Sequence, residues 1–352
     1  MDQQKCPGSG PEEANEHGGA ARKGAIIAAG AHGLRGFLLV AGVAVLTAAC
    51  DGGGSLPVYR SIAELRFPDP ILQACVRRFA EKRSWQQAGE VVALRCNNPG
   101  RDAIRSLEGI DQLPNLARAN FAHNRISDAR PLIGLDHLSD LDLGYNVLPG
   151  LSSDRPHLGL ARVNLDHNRV RDLGWLRYFG QLEILSLGHN RIEDLAPLKW
   201  VPRLGDLNLE YNRISRLGAL RGLVGLRLLD VSGNVIDSLD AVAGHPGLEV
   251  LVADDNSITT VGAVRRLQTL DELSLAGNPL SDISALGGLT KLRRLVLDDT
   301  PIRDLAPLAV LGNLQSVSLR RVAEPSCAAL EHLAAELGGG VVHTGARCPG
   351  LR

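Results

Sequence analysis

The chain has 352 residues, a net charge of −1 at neutral pH, 44% hydrophobic residues and only 3% aromatic residues. This hydrophobic content excludes a disordered chain, and the balanced charge indicates neither a binder of polyanions nor a strongly acidic tail. Large globular cores usually contain more Phe, Tyr and Trp, so the composition favours a core tiled from smaller side chains at fixed intervals.

Residues 1–49 are predicted to be a polar leader and signal peptide that do not belong to the fold. Residues 1–23 are polar and show no apolar period, and a translation start further along the chain is an alternative. The basic residues Arg22, Lys23 and Arg35 precede an apolar run at 36–49. At about 14 residues this run is shorter than the roughly 20 needed to span a bilayer as a helix, and it fits the apolar region of a secretory signal peptide.

The end of the apolar run, LTAAC at 46–50, resembles a bacterial lipobox. The resemblance implies that Cys50 is lipidated and becomes the mature N-terminus, although Thr47 stands where leucine is most common. Residues 50–66 would then be a lipid-anchored flexible tether, on an exported protein held at the inner or the outer membrane of the cell envelope. An ordinary secretory signal followed by a free cysteine, and an uncleaved membrane anchor, are the alternatives.

Residues 67–90 are predicted to form an N-terminal helical cap. Asp69 and Pro70 look like a helix N-cap followed by proline at the first helical position, and apolar residues then recur at helical spacing. We therefore expect an amphipathic helix over 70–83.

A repeat of 22 residues dominates the chain from 91 to 320. Asparagines recur at this interval, at Asn124, Asn146, Asn168, Asn190, Asn212, Asn234, Asn256 and Asn278. The surrounding pattern is L-x-x-L-x-L-x-x-N-x-(I/L/V), as at 182–192, and nine full repeats run over 116–313 without an insertion or deletion. Such a strict register indicates one structural unit for each repeat, stabilised by stacking on its neighbours.

This pattern is similar to that of the leucine-rich-repeat family, in the 22-residue class of internalin-like proteins. The phrase D-L-x-P-L, which also resembles internalin-like proteins, occurs at 194–198 and 304–308. The resemblance implies an α/β repeat solenoid: an arc with a concave parallel β-sheet made from the L-x-L segments, short 3₁₀ or extended convex segments, and helical caps. Each asparagine of the ladder is expected to have a structural role, bonding backbone groups where the chain leaves a strand.

The C-terminal cap is predicted at 321–352. Two cysteines lie in each cap region, Cys75 and Cys96 at one end and Cys327 and Cys348 at the other. The solenoid would be roughly 50 Å long, from about eleven strands at ~4.8 Å spacing, so a disulfide cannot join its ends. We therefore predict the pairs Cys75–Cys96 and Cys327–Cys348. No metal site is expected, since the spacings match no zinc pattern.

One repeat position, immediately before the asparagine, carries rings in the first half of the array and small or charged residues afterwards. The series reads His123, Tyr145, His167, His189, Tyr211, Gly233, Asp255, Gly277, Asp299 and Arg321. With the nearby carboxylates Asp166, Glu210 and Asp230, the five rings form a candidate ligand-binding ribbon on the concave face, because amphipathic rings are enriched at interfaces. The alternative is that a flat ring is merely tolerated there because it covers neighbouring backbone.

Two chemical expectations accompany this ribbon. Protonation of its three histidines near pH 6 would make ligand binding pH-sensitive. The carboxylates are spread along an open face with no enclosed pocket, so their pKa values should not be shifted. A metal held by His167 and His189, with Asp166, would lack a further evident ligand.

The sequence contains no phosphate loop, nucleophile elbow or H-E-x-x-H motif, so we predict that the chain is not an enzyme and uses no cofactor. We expect a membrane-anchored monomeric scaffold that binds a protein or peptide partner on its concave face, and no nucleic acid. The alternatives are a structural component of the cell envelope and a cell-wall glycan binder, for which Tyr145 and Tyr211 would act as stacking platforms.

Overall fold

The computed structural model describes residues 59–97, 102–322, 326–338, 341–345 and 348. The predicted leader at 1–49, the predicted lipidation site Cys50 and the tether up to residue 58 lie outside the described residues. Within the described part of the chain, no helix combines the length and the apolar character needed to cross a membrane.

In the described part of the chain, twelve short strands form one parallel sheet, in which each strand is hydrogen-bonded to its neighbours in sequence order. They are β1 Ala93–Arg95, β2 Arg118–Asn120, β3 Asp140–Asp142, β4 Arg162–Asn164, β5 Ile184–Ser186, β6 Asp206–Asn208, β7 Leu228–Asp230, β8 Val250–Val252, β9 Glu272–Ser274, β10 Arg294–Val296, β11 Ser316–Leu319 and β12 Val342–Thr344. Leu185 of β5 is paired with Leu207 of β6, and the same offset of 22 residues holds from β2 to β11. Each repeat position therefore forms a single file along the sheet.

The core is a continuous stack of leucines inside the coil. Leu185 and Leu187 of the L-x-L segment are fully buried, and Ile192, Leu195 and Leu198 close the same turn from the other side. No repeat can bury these side chains alone, so each turn depends on the turns above and below it.

Helices are short except at the ends of the sheet. The α-helices are α1 Pro70–Arg83, α2 Arg130–Ile133 and α3 Cys327–Leu337. The turns of the coil between strands carry 3₁₀ helices at Gly174–Tyr178, Ala196–Trp200, Gly218–Gly222, Asp240–Gly244, Gly262–Arg266, Ser284–Gly288 and Ala306–Leu308. Further 3₁₀ turns lie at Ile62–Glu64, Ala88–Glu90 and Ile110–Gln112. Pro197 and Pro307, the prolines of the two D-L-x-P-L phrases, lie in the first turn of their 3₁₀ helices.

The asparagines tie each repeat to the preceding one. The side-chain Nδ2 of Asn190 donates to the carbonyl oxygen of Leu187 at 3.0 Å and to that of Leu165, one repeat earlier, at 2.9 Å. Its Oδ1 accepts from the backbone N–H of Val170 at 2.9 Å. The pattern recurs at all eight asparagines, which therefore have the structural role that the sequence suggested.

The first helix begins where the sequence predicted. Asp69 is the N-cap of α1, and its Oδ1 accepts from the backbone N–H groups of Ile71 and Leu72 at 2.9 and 3.1 Å. The other carboxylate oxygen accepts from the backbone N–H of Arg105 at 2.7 Å, so the cap residue also holds the cap onto the first repeats. These bonds to the charged form lower the pKa of Asp69, although partial burial opposes them.

Both predicted disulfides are present. Cys75 of α1 is bonded to Cys96, next to β1, and Cys327 of α3 is bonded to Cys348. Each bridge spans a separation of 21 residues within one end of the repeat array. The two ends of the stack, which have no neighbouring repeat on one side, are therefore closed by covalently fixed segments.

Candidate ligand-binding face

The five rings of the predicted ribbon form one continuous stack just beyond the ends of β2 to β6. Their members are His123, Tyr145, His167, His189 and Tyr211. Neighbouring ring centroids are 4.2, 4.0, 3.9 and 4.5 Å apart in that order, and neighbouring planes are within 16° of parallel. We call this group the ring stack.

An unusual backbone conformation aligns these rings. All five residues are left-handed, with φ between 48° and 58°, a conformation that costs a residue with a side chain roughly 1–2 kcal/mol. Because the conformation repeats at the same position of successive turns, the side chains leave the backbone in the same direction. Sequence reasoning missed this, although glycine and aspartate, which tolerate a positive φ, alternate at this position in the later repeats.

The interior rings of the stack have both faces covered by their neighbours. Tyr145 is stacked between His123 and His167, so both of its faces are occupied. Its exposed fraction is still 47%, and that of Tyr211 is 48%. The exposed part of Tyr145 is therefore its ring edge and its phenol group.

A file of carboxylates runs beside the ring stack. Its members are Asp142, Asp166, Glu210, Asp230 and Asp254. The sequence had singled out Asp166, Glu210 and Asp230, and these are only 5%, 4% and 7% exposed. Asp142 and Asp254, which the sequence also places next to the rings, belong to the same group. Asp142 and Asp230 occupy one repeat position, and Asp166, Glu210 and Asp254 occupy the position two residues later. We call these five residues the carboxylate file.

Neutral donors hold these carboxylates in place. One oxygen of Asp166 accepts from the Ser186 hydroxyl at 2.6 Å and from the backbone N–H of Gly188 at 2.7 Å. Asp254 accepts from Ser274 and from the N–H of Ala276 at 2.6 and 2.8 Å in the same way. A serine and a small residue in the following repeat thus support Asp166 and Asp254, whereas Glu210 accepts from the side chain of Asn208 at 3.4 Å.

Burial shifts the ionisation of the carboxylate file. It raises the pKa of Asp166 to about 6, that of Glu210 to about 7 and that of Asp254 to about 6, and repulsion from neighbouring carboxylates adds to the shift. Burial also raises the pKa of Asp142. The expectation that an open face would leave these pKa values unshifted is wrong, because adjacent turns of the coil remove the carboxylates from water.

Burial has the opposite effect on the pKa of two histidines of the ring stack, His167 and His189. Burial lowers the pKa of His167 to about 4, with repulsion from His189 and His123 as the smaller causes, and burial also lowers the pKa of His189. His167 is therefore neutral near pH 6, where the sequence had suggested that it would titrate. The carboxyl groups of Asp166, Glu210 and Asp254 change charge near that pH.

The later repeats differ at the position of the ring stack. Gly233 and Gly277 carry no side chain there, and Arg321 forms an ion pair with Asp299. Among the described residues, no group of three or more His, Cys, Asp or Glu side chains is placed to hold a metal ion. The ring stack is thus confined to the first half of the array, whereas the carboxylate file continues to Asp254 in the seventh full repeat.

Comparison with known proteins identifies repeat profiles that match the chain and solved structures that are similar to it. The leucine-rich-repeat family profile matches residues 180–236, and a profile for two copies of the repeat matches 268–310. No curated protein sequence matches the chain significantly. The crystal structure of an internalin of Listeria monocytogenes, InlF, is similar with a TM-score of 0.67 and 23% identity, over 84% of this chain and 95% of that one.

Two further solved structures share the fold. The functional domain of InlJ from Listeria monocytogenes, which includes a cysteine ladder, matches 84% of this chain and 63% of its own length, with a TM-score of 0.67 and 23% identity. A leucine-rich-repeat protein of Leptospira interrogans has a TM-score of 0.62 and 27% identity, over 66% of this chain and 62% of that one. The two profiles show leucine-rich repeats over residues 180–236 and 268–310, and the shared coil shows that the chain has the internalin-like fold.

Proposed function

We propose that this protein is an exported binding scaffold that holds a protein or peptide partner against the ring stack. The observation that carries the proposal is the continuous row of five rings, whose tyrosines remain about half exposed. Leucine-rich-repeat scaffolds typically serve protein–protein interaction. Tyrosine is also enriched where protein interfaces concentrate their binding energy, since it combines a rigid apolar ring with a hydrogen-bonding hydroxyl.

The geometry of the rings favours a protein over a glycan. A sugar stacks on the face of an aromatic ring, but both faces of Tyr145 are covered by its neighbours. One face of Tyr211 is covered by His189, and its ring lies against Gly233. Ring edges and hydroxyl groups suit the side chains and backbone groups of a polypeptide.

Export is supported by the two disulfides. Disulfides form and persist in oxidising compartments, and here they fix the two ends of the repeat array. Lipid anchoring through Cys50 is part of the same proposal and rests on the LTAAC sequence alone. Metabolic labelling with an alkyne fatty acid tests it: label should be lost in Cys50→Ser and retained in Cys6→Ser, and equal labelling of both variants would exclude an anchor at residue 50.

Site-specific photo-crosslinking in the native cell tests the binding site. A photoreactive residue replaces Tyr211 in one strain and the exposed Arg216, outside the ring stack, in another. We expect one discrete protein adduct from position 211 and none of the same mass from position 216. Adducts from 216 alone, or from neither position, would refute the site and favour a structural role in the envelope.

A further inference from the structure

A second surface lies on the 3₁₀ side of the coil. Arg177, Lys199 and Arg221 occupy the same position in the 3₁₀ helices of three successive repeats, 22 residues apart, and all three are exposed. Among the described ion pairs, none involves these three side chains. The segments 174–181, 196–203 and 218–225 contain no Asp or Glu. Like charges therefore recur at the repeat spacing in these three segments, and the carboxylates Glu193 and Asp194, which line the same groove as Lys199, form no described ion pair with it.

Apolar groups are exposed among these cations. Trp200 is 50% exposed and Val224 in the next repeat is 65% exposed. The ammonium of Lys199 lies 5.1 Å from the centroid of the Trp200 ring, and the guanidinium of Arg177 lies 4.7 Å from that of Tyr178. The surface therefore combines positive charge, aromatic rings and an aliphatic side chain in neighbouring turns.

We propose that this surface, made of Arg177, Lys199, Trp200, Arg221 and Val224, docks on an anionic phospholipid membrane. Tryptophan and tyrosine are the side chains most enriched at the membrane–water interface, and basic residues beside them are attracted by anionic headgroups. An exposed valine and tryptophan gain by entering the boundary between headgroups and acyl chains. A nucleic acid would use the charges, but it would leave Val224 without a partner, so the observations favour lipid.

This docking is independent of the binding proposed for the ring stack. The 3₁₀ helices and the strands are on different sides of each turn, so the two surfaces can be occupied together. A chain lying on a membrane by its 3₁₀ side would present the ring stack away from the lipid. The net charge of −1 gave no indication of this surface, because acidic residues elsewhere in the chain balance its positive charge.

Vesicle flotation tests the proposal with the full chain carrying Cys50→Ser in every sample, so that no acyl chain is attached there. Binding is compared between vesicles of phosphatidylcholine alone and vesicles that also contain phosphatidylglycerol. We expect a clear preference for the anionic vesicles. The triple variant Arg177→Gln, Lys199→Gln, Arg221→Gln should bind them on the order of a hundredfold more weakly, since each basic residue near the surface contributes about fivefold.

A matched triple variant controls for net charge. Arg125→Gln, Arg169→Gln and Arg191→Gln remove three exposed cations from a different file of the repeat, and they should leave vesicle binding within about twofold of that of the parent chain. Equal loss in the two triple variants, or no preference for anionic vesicles, would overturn the proposal. Circular dichroism of both variants confirms that the repeat array remains folded.

A second variant tests insertion separately from charge. Trp200→Ala should weaken vesicle binding and remove most of the quenching of tryptophan fluorescence by brominated lipid, since Trp85 and Trp175 are partly buried against the core. Quenching that is undiminished in Trp200→Ala would contradict the orientation we propose. Binding to duplex DNA that is lost in the first triple variant, without any binding to vesicles, would refute lipid in favour of a nucleic acid.

Discussion

The ring of Tyr211 lies against Gly233 in the next repeat and occupies the space where a side chain would begin. A Cβ on Gly233 would be 2.5 Å from Cδ1 of Tyr211 and 2.9 Å from its Cγ, closer than real Cβ contacts. Gly233 also has a φ of 63°, in the left-handed region. The ring stack therefore ends at a glycine that both accommodates the last ring and supplies the backbone conformation of the series.

Gly233→Ala should displace Tyr211 and destabilise the fold. The methyl group collides with the ring and the alanine must adopt a positive φ, which together should lower the free energy of unfolding by about 1–2 kcal/mol. Urea unfolding measures the loss. Gly244→Ala is the control, because a Cβ there meets nothing within 4 Å and its φ is not positive. A loss at Gly233→Ala no larger than that of the control would show that the ring adjusts without strain.

Asp166→Asn should change the pH dependence of stability. The pKa of Asp166 is about 6 in the folded chain against an ordinary 3.8, so the folded state binds this proton more tightly than the unfolded state does. The stabilisation that protonation gives is complete below about pH 4 and is lost as the pH rises through about 6. The difference in unfolding free energy, variant minus parent, should therefore become more positive by about 3 kcal/mol between about pH 4 and about pH 7.5.

The parent and the Asp166→Asn variant both contain His167. Subtracting the unfolding free energy of the parent therefore removes the pH dependence that is due to His167. The lowered pKa of His167 acts with the opposite sign, since its contribution to stability is lost as the pH falls from about 6.5 towards 4. Asp237→Asn, at an exposed position, controls for the loss of one negative charge. A difference for Asp166→Asn that does not change with pH would mean that this carboxylate is not desolvated.

Asn190→Ala should be strongly destabilising. It removes the bonds to the carbonyl groups of Leu187 and Leu165 and leaves the N–H of Val170 without its acceptor, which should cost about 2–4 kcal/mol. Denaturant unfolding measures the effect. Asn313→Ala is the matched change, since Asn313 donates one exposed bond to the carbonyl of Thr290 and lies outside the ladder. Similar losses in the two variants would refute a special role for the ladder.

Thr300→Asn should stabilise the protein. Thr300 stands in the asparagine position of its repeat, is 3% exposed, and donates to the carbonyl of Leu297 at 2.6 Å. An asparagine in the same register would also accept from the backbone N–H of Leu280 and donate to the preceding repeat. We expect a gain of about 1 kcal/mol in the free energy of unfolding. A loss of stability would indicate that this end of the array departs from the geometry of the other rungs.

The architecture was readable from the sequence because it depends on residues in strict register. Asn190 and Leu185 recur at fixed offsets, and a repeat that cannot bury its own leucines allows only stacking. Only part of the ring stack could be predicted from the sequence. The spacing placed His189 and Tyr211 in one file, but it did not indicate the positive φ that aligns their rings, because this conformation is rare for such residues. The burial of Asp166 could not be read at all, since it depends on how closely Ser186 and Gly188 of the next turn approach.

The break in the ring stack at Gly233 also divides the coil mechanically. Up to Tyr211, adjacent rungs are coupled three times, through the sheet, the asparagine ladder and the packed rings. Ring packing, the third of these couplings, is absent at Gly233 and Gly277, because a glycine has no ring. We expect the coil to be stiffer along the ring stack than beyond Gly233. Thermal bending should therefore concentrate next to the last ring, where the partner is proposed to bind.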